Sequence, residues 1–341
     1  MMCRMSTERS RSGSPRVLVL GVVLVLVAVA AVLGWAWRSE AGPFSVDPQQ
    51  RNRYAEQGLF VDPASRTALG VADAEAAGLT ERARLLSALA AVSAGTWLTP
   101  EVHPIGEVGA YASALVAEAA ADDAVVTFVV YGVPHRDCEA GYSAGGTSAD
   151  DYARWVGEIG DALGGSTAVV VLEPDALASA TACGLRASRV KHLSAAVDLL
   201  VDAGVTTYVD AGHADWVRPA RMARLLRAVG VDRVRGFATN VANYQTDEDE
   251  EAYATRLSTL LGGSHWVIDR GRNGHGATRV WCNPAGRALG LRPGFVDDGT
   301  GLDAYLWVKP PGESDGTCRG GPEAGLLWPE RAVDLAEAAG W

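Results

Sequence analysis

Residues 167–175 read TAVVVLEPD and residues 206–213 read TTYVDAGH. Each is a short run of β-branched and apolar residues that ends in carboxylates. Such runs suit strands buried on both faces, as in a parallel sheet. Between them, Ala187–Ala203 carries a helical pattern. Strand, helix and strand in that order imply parallel pairing through a right-handed crossover.

The same unit recurs on either side. Upstream lies Ala124–Val133 (AVVTFVVYGV), and Ala88–Leu98, which contains Trp97, is a fainter first strand. Downstream come Val234–Ala238 (VRGFA), His265–Ile268 (HWVI) and Asp303–Val308 (DAYLWV), with a second helical pattern at Pro219–Val229. Polar residues close every run. Arg136-Asp137 follows the first clear strand, Glu173-Pro174-Asp175 the second, Asp210-Ala211-Gly212-His213 the third and Thr239-Asn240 the fourth. Asp269 and Arg272-Asn273-Gly274 follow the fifth, and Lys309, Glu313 and Asp315 the sixth. In a barrel of parallel strands all these ends open on one face, where barrel enzymes keep their chemistry.

The 341 residues are 48% apolar and 21% charged, enough for a large packed core. A formal charge of −11 argues against a nucleic-acid partner, which would call for clustered positive charge. Of 30 basic residues only Lys191 and Lys309 are lysines, and Lys309 falls in a strand-end motif. Residues 1–16 form a basic tail expected on the cytoplasmic side, and residues 17–37 (VLVLGVVLVLVAVAAVLGWAW) are free of charge. That length predicts a signal-anchor crossing the membrane, or a signal peptide cleaved near Ser39-Glu40-Ala41. Either one exports the remainder of the chain, read as a linker over 38–47 and one catalytic domain over 48–341. The expected location is extracellular, membrane-anchored or secreted, and the expected state is a monomer. Cys138, Cys183, Cys282 and Cys318 then lie in an oxidising compartment, where an even number favours disulfides.

Three chemistries use such a rim. The six histidines are scattered, and no C-x-x-C or H-E-x-x-H spacing occurs, so no metal or other cofactor is expected. The one Gly-rich candidate for a phosphate loop, RGRNGHG over 270–276, carries no fingerprint. Glycoside hydrolysis needs one carboxylic acid to protonate a leaving oxygen and a second carboxylate for water or for attack on carbon. Tryptophan (10) outnumbers phenylalanine (5), and Trp97, Trp216 and Trp281 sit at or beside strand ends, where indoles can serve as sugar platforms.

Several ordered motifs resemble glycoside hydrolase family 6, the inverting β-1,4-glucanases that comprise endoglucanases and cellobiohydrolases. They are Val130-Tyr131 with Pro134-His135-Arg136-Asp137-Cys138, Leu172-Glu173-Pro174-Asp175, Tyr208-Val209-Asp210-Ala211-Gly212-His213, Gly236-Phe237-Ala238-Thr239-Asn240, Trp281-Cys282-Asn283-Pro284-Ala285-Gly286-Arg287, and 307–316, WVKPPGESDG. The expected fold is therefore α/β: a distorted (β/α) barrel of parallel strands, TIM-like and incompletely closed, with its active site at the C-terminal strand ends. The resemblance implies that Asp175 is the general acid, with Asp137 beside it to keep it protonated and Asp315 as the base. It places Tyr131 under the sugar at the cleavage point and gives Ser143 the water-positioning role. Lys309, Glu313, Asn240 and His213 would hold glucose hydroxyls. Trp97 and Trp281 would stack sugars on the non-reducing side, and Trp216 on the leaving-group side. Asp210 would tune charge or serve as a buried hydrogen-bond group. The family's disulfides match Cys138–Cys183 and Cys282–Cys318.

Two departures bear on the mode of attack. Val217-Arg218-Pro219 stands where cellobiohydrolases carry a further tryptophan, and only Gly316 and Thr317 separate Asp315 from Cys318, where they insert a long loop. An open groove and endo attack are expected, on cellulose or a soluble β-glucan, with no separate cellulose-binding module. Exo action, or a glycan-binding protein without catalysis, are the alternatives. Gly132 and His135 also depart from common family residues and are expected to tune the pH optimum.

Overall fold

A computed structural model of the chain describes residues 46–139 and 141–341. Its framework is an eight-stranded sheet. The strands are β1 (Thr96–Leu98), β2 (Thr127–Val130), β3 (Val169–Leu172), β4 (Thr206–Asp210), β5 (Gly236–Thr239), β6 (His265–Asp269), β7 (Gly294–Phe295) and β8 (Leu302–Leu306). They are ordered β1-β2-β3-β4-β5-β6-β8-β7. All neighbours pair parallel except β7, which runs antiparallel along the outside of β8. The sheet curls into a barrel but does not close. Across the seam, β1 and the end of β8 are joined by Gly95 N–H donating to the Trp307 carbonyl at 2.8 Å and Trp97 Nε1 donating to the Val308 carbonyl at 2.9 Å.

Alternation along each strand sorts the core into two layers. Val129, Val169, Val171, Tyr208, Ala238 and Val267 fill the barrel interior. Phe128, Val130, Val170, Leu172, Val209, Phe237 and Ile268 face outward, onto a layer of helices. These helices are α1 (Arg66–Ala76), α2 (Thr80–Ala90), α3 (Val108–Ala121), α4 (Tyr152–Leu163), α5 (Ala176–Ser179), α6 (Arg186–Asp202), α7 (Pro219–Val229), α8 (Asp247–Leu261) and α9 (Pro329–Ala338). Their limits follow the sequence chemistry. Pro219 opens α7 and Gly230, at φ +85°, ends it. Thr246 caps α8 by accepting from Asp249 N–H, and Asp247, Glu248 and Asp249 in the first turn set negative charge against the positive end of the helix dipole. Gly236 is required for packing, because a side chain there would strike the His265 backbone on the neighbouring strand.

A polar network plugs the N-terminal end of the barrel. Arg235 forms a bidentate ion pair with Asp303 at 2.7 and 2.8 Å, and Tyr208 donates to the same carboxylate at 2.6 Å. Gln49 accepts from the backbone of Thr207 and of Arg235.

The sequence expectation differs from the structure in three places. The first strand begins at Thr96 and not near Ala88; residues 88–90 belong to α2, whose Leu85, Leu86 and Leu89 recur with helical spacing and are buried against Trp307 and α9. The run Ala124–Val133 is interrupted, with Ala124–Val125 pairing separately with Gly58–Leu59. The signal-anchor expectation is corrected as well. No helix among the described residues is long and apolar enough to cross a membrane. α6 has 17 residues, about 25 Å against a hydrocarbon core of about 30 Å, and it carries Arg186, Arg189, Lys191, Asp198 and Asp202. The apolar stretch 17–37 lies outside the described residues, and no membrane anchor is proposed. Pro48–Trp341 forms one compact unit.

Candidate active site

The C-terminal strand ends open into a cleft of about 1120 Å³. Trp97, Tyr131, Asp137, Ser143, Asp175, His213, Trp216, Trp281, Lys309, Glu313 and Asp315 all line it, drawn together from both ends of the domain. Backbone strain marks the same rim. His135, Asp137, Cys138, Glu173, Asp175, Asn240 and Ala242 all have left-handed φ between 52° and 65°. Such conformations cost on the order of 1–3 kcal/mol each and persist where the surroundings over-determine them, typically at functional sites.

Asp175 stands at the N-terminal end of the short helix α5, just past β3. Its backbone N–H donates to Asp210 Oδ2 at 2.9 Å, an oxygen that also accepts from Gly212 N–H at 2.9 Å. Burial raises the Asp175 carboxyl well above the ordinary aspartate range, and the negative charges of Asp210, Asp137 and Asp315 add to the rise. The group therefore holds its proton near neutrality, as a general acid must. Asp210 lies beneath the floor, with its carboxyl pushed up to about 7 by burial against the two backbone donors. It is a buried acceptor for two backbone N–H groups, and its negative charge is one cause of the rise at Asp175.

Asp137 is held by the loop that carries it. Its Oδ1 accepts from the Tyr131 hydroxyl at 2.9 Å, and its Oδ2 accepts from both the backbone and the hydroxyl of Ser143. Arg136 pins this loop from behind, donating to the carbonyls of Ser143 and Tyr131 at 2.7 Å each and lying 4.5 Å from the Tyr131 ring centre. Beneath it, Glu173 accepts from Gly132 N–H, Val133 N–H and the Tyr152 hydroxyl, and burial pushes its carboxyl up to about 7 despite these donors. Gly132 is a packing requirement, since a Cβ there would come within 2.5 Å of Trp155.

Asp315 is held from three sides: by the Arg272 guanidinium at 2.8 Å, the Tyr244 hydroxyl at 3.2 Å and Asn283 N–H at 2.9 Å. Lys309 Nζ reaches Glu313 Oε2 and the Ser314 carbonyl at 3.4 Å each and sits 5.1 Å from the Trp97 ring centre. Trp97 stands edge-on to Tyr131 at 5.1 Å. Trp216 (41% exposed) and Trp281 (50%) offer free ring surface to the cleft. His213, 5.4 Å from Trp216, has its imidazole pushed down to about 4 by burial, so it is neutral at ordinary pH, and its buried Nδ1 has no protein partner. A neutral imidazole at the cleft wall can donate or accept a hydrogen bond to a sugar hydroxyl.

Asn240 is a correction. It is fully buried, its Nδ2 donates to the carbonyls of Gln245 and Asp269, and its Oδ1 accepts from Gln245 N–H. Its amide is spent on folding the loop after β5, and it does not contact the cleft.

Cys138 bonds to Cys183 and Cys282 to Cys318, tying down the loops that carry Asp137 and Asp315. Those loops meet where Tyr142 packs on Gly316; a side chain at 316 would collide with it. Tyr142, 51% exposed and 5.9 Å from Trp281, is a cleft aromatic that sequence reading missed, although it directly precedes Ser143. Arg272, Tyr244 and Asn283 were missed as supports of Asp315; Arg272 and Asn283 lay in noted motifs, but nothing in one dimension links them to residue 315. Glu250 was hidden inside the run Asp247–Glu251. It is fully buried, and its Oε1 accepts from Ala214 N–H at 2.7 Å, while Tyr253 one turn on donates to the Ala211 carbonyl. Helix α8 thereby grips the loop bearing His213. Among the described residues, no cluster of three His, Cys, Asp or Glu side chains is arranged to hold a metal ion.

The sequence profile described as Glycosyl hydrolases family 6 matches residues 54–339. Endoglucanase A of Cellulomonas fimi is 44% identical over 290 residues, covering 83% of this chain and 62% of that protein. Endoglucanase 1 of Streptomyces halstedii is 32% identical over 327 residues, 91% of this chain and 97% of the relative. Among solved structures, the endoglucanase Cel6 from Mycobacterium tuberculosis, in complex with methyl-cellobiosyl-4-deoxy-4-thio-β-D-cellobioside, superposes with a TM-score of 0.80 at 40% identity. That match covers 85% of this chain and 100% of the other. The chain spans about three fifths of the length of the Cellulomonas fimi relative.

Proposed function

The chain belongs to glycosyl hydrolases family 6, and from that membership we propose that it hydrolyses internal β-1,4-glucosidic bonds of cellulose or a related β-glucan, with inversion at the anomeric carbon. Residues 48–341 act as the catalytic domain. The observation that carries this reading is a single carboxyl, Asp175, kept protonated by burial and by three neighbouring carboxylates on the floor of an aromatic-lined cleft.

A glucan chain lies along the cleft with sugars against Trp97 and Trp281 on the non-reducing side and Trp216 on the other. Tyr131 sits beneath the sugar at the cleavage point, and Lys309, Glu313 and His213 engage hydroxyls. Asp175 gives its proton to the glycosidic oxygen as the bond to the anomeric carbon breaks. Water attacks the opposite face, oriented by Ser143 and Asp137. Asp315, fixed by Arg272, Tyr244 and Asn283, accepts the water's proton in the base role. Inverting pairs stand roughly 6.5–9.5 Å apart to admit that water. The chemistry needs only carboxyl groups and water. Two disulfides joining rim loops fit an exported enzyme working in an oxidising, extracellular setting.

Asp175→Asn tests the assignment. Turnover of carboxymethylcellulose should fall by about 10²–10⁴-fold, the range for general acid catalysis, while cello-oligosaccharide binding persists. Retention of more than a tenth of the wild-type rate would remove Asp175 from the acid role.

A further inference from the structure

Beside Trp97, next to the cleft, lies a second concavity of about 240 Å³. Arg66, Trp97, Val102 and Glu313 line both spaces, so the two adjoin along a shared wall. It lies at the open seam of the barrel, where Gly95 and Trp97 reach across to Trp307 and Val308 and no strand ladder fills the gap.

Its lining has the chemistry of a sugar site. Tyr111, 36% exposed, stacks on His103 with ring centres 4.1 Å apart and planes within 20°. Burial, helped by the Arg66 charge, pulls the His103 imidazole below its ordinary range, so the stack is neutral at pH 7. A neutral aromatic face suits the C–H face of a pyranose. Charged hydrogen-bonding groups stand beside it. Glu313 is shared between the two spaces, with Oε2 toward Lys309 in the cleft and Oε1 3.6 Å from Arg66 Nη1. Arg66 is steadied by donating to the Gly325 carbonyl at 2.7 Å. Lys309, Glu313 and Arg66 thus run as a polar ladder from cleft to pocket. At about a fifth of the cleft's volume, the pocket has the scale of one ring and not of a chain segment.

We propose that this concavity binds one further glucosyl unit of the substrate, beyond the sugar stacked on Trp97 at the non-reducing side, with Tyr111 as its platform and Arg66 and Glu313 as its hydroxyl partners. The proposal rests on the glucanase reading of the cleft. It predicts which bond of a short substrate is cut. Cellopentaose that fills the pocket loses three sugars from its non-reducing end; cellopentaose that leaves it empty loses two.

The test is hydrolysis of cellopentaose labelled at its reducing end by the full chain. Labelled cellobiose should exceed labelled cellotriose, and Tyr111→Ala should lower that ratio by about 3- to 10-fold, the worth of an aromatic platform. Tyr111→Phe, which keeps the ring, should preserve the ratio, and Tyr111→Leu serves in place of the alanine variant if that protein does not fold. A ratio unchanged in Tyr111→Ala or Tyr111→Leu, or labelled cellotriose in excess with wild type, overturns the pocket while leaving the glucanase reading intact. Failure of wild type to cut cellopentaose at all overturns that reading, and the pocket with it.

Discussion

Asp210 uses one carboxylate oxygen to hold the backbone of Asp175, while its other oxygen is buried without a protein partner. This residue shows how the acid is tuned. Burial is the largest influence on Asp175, and the first neighbouring charge is that of Asp210. Asp210→Asn keeps an oxygen for the Asp175 and Gly212 N–H groups but removes the charge. The Asp175 proton should then leave at lower pH, and the alkaline limb of the kcat/KM profile should move acidward, because activity requires the protonated acid. A limb that stays in place while kcat falls would reduce Asp210 to a purely structural acceptor. Residue identities at this scale were largely legible, since strand-end carboxylates in known motifs are local in sequence. Asn240 was misread for the opposite reason: its position in the motif is local, but the Asp269 carbonyl that absorbs its amide lies 29 residues away.

Helix α8 couples the outer layer to the site through Glu250, whose carboxyl is pushed up to about 8 by burial. In the native state it stays protonated well above its unfolded value of about 4.5. The folded protein therefore holds an extra proton between these values, and the stability this group contributes is greatest below pH 4.5 and is lost as pH rises through 8. Glu250→Gln keeps an acceptor for Ala214 N–H without that ionisation. Its stability relative to wild type in urea unfolding should improve steadily from pH 4.5 to pH 8. Glu250→Leu leaves Ala214 N–H unpartnered and should cost about 1–3 kcal/mol. A Gln variant whose relative stability is flat across that window would contradict the buried, protonated assignment. The strands and the helices α6 and α7 were legible because period and punctuation agree there. The short β7 and the split at Val126 were not, because two-residue strands are fixed by pairing partners and not by pattern.

On the scale of the molecule, the barrel's open seam and its short rim loops set the mode of attack. The loop that the family's cellobiohydrolases extend is here only Gly316-Thr317, between Asp315 and a Cys318 stapled to Cys282. Chains should therefore enter sideways, and viscosity of soluble carboxymethylcellulose should fall well before reducing ends accumulate. Slow viscosity loss with cellobiose dominant from the first minutes would indicate exo action instead. The architecture was readable from the alternation of strand and helix, and the family resemblance implied an incompletely closed barrel; the residues that bridge the seam, Gly95 and Trp97 to Trp307 and Val308, are 211 or more positions apart and were not legible. The central claim is inversion by a protonated Asp175 acting opposite an activated water. Proton NMR of the anomeric region during the first turnovers on cellotetraose or cellopentaose tests it most directly. The account predicts that new reducing ends appear first as the α-anomer and then mutarotate; product that appears first as the β-anomer would contradict it.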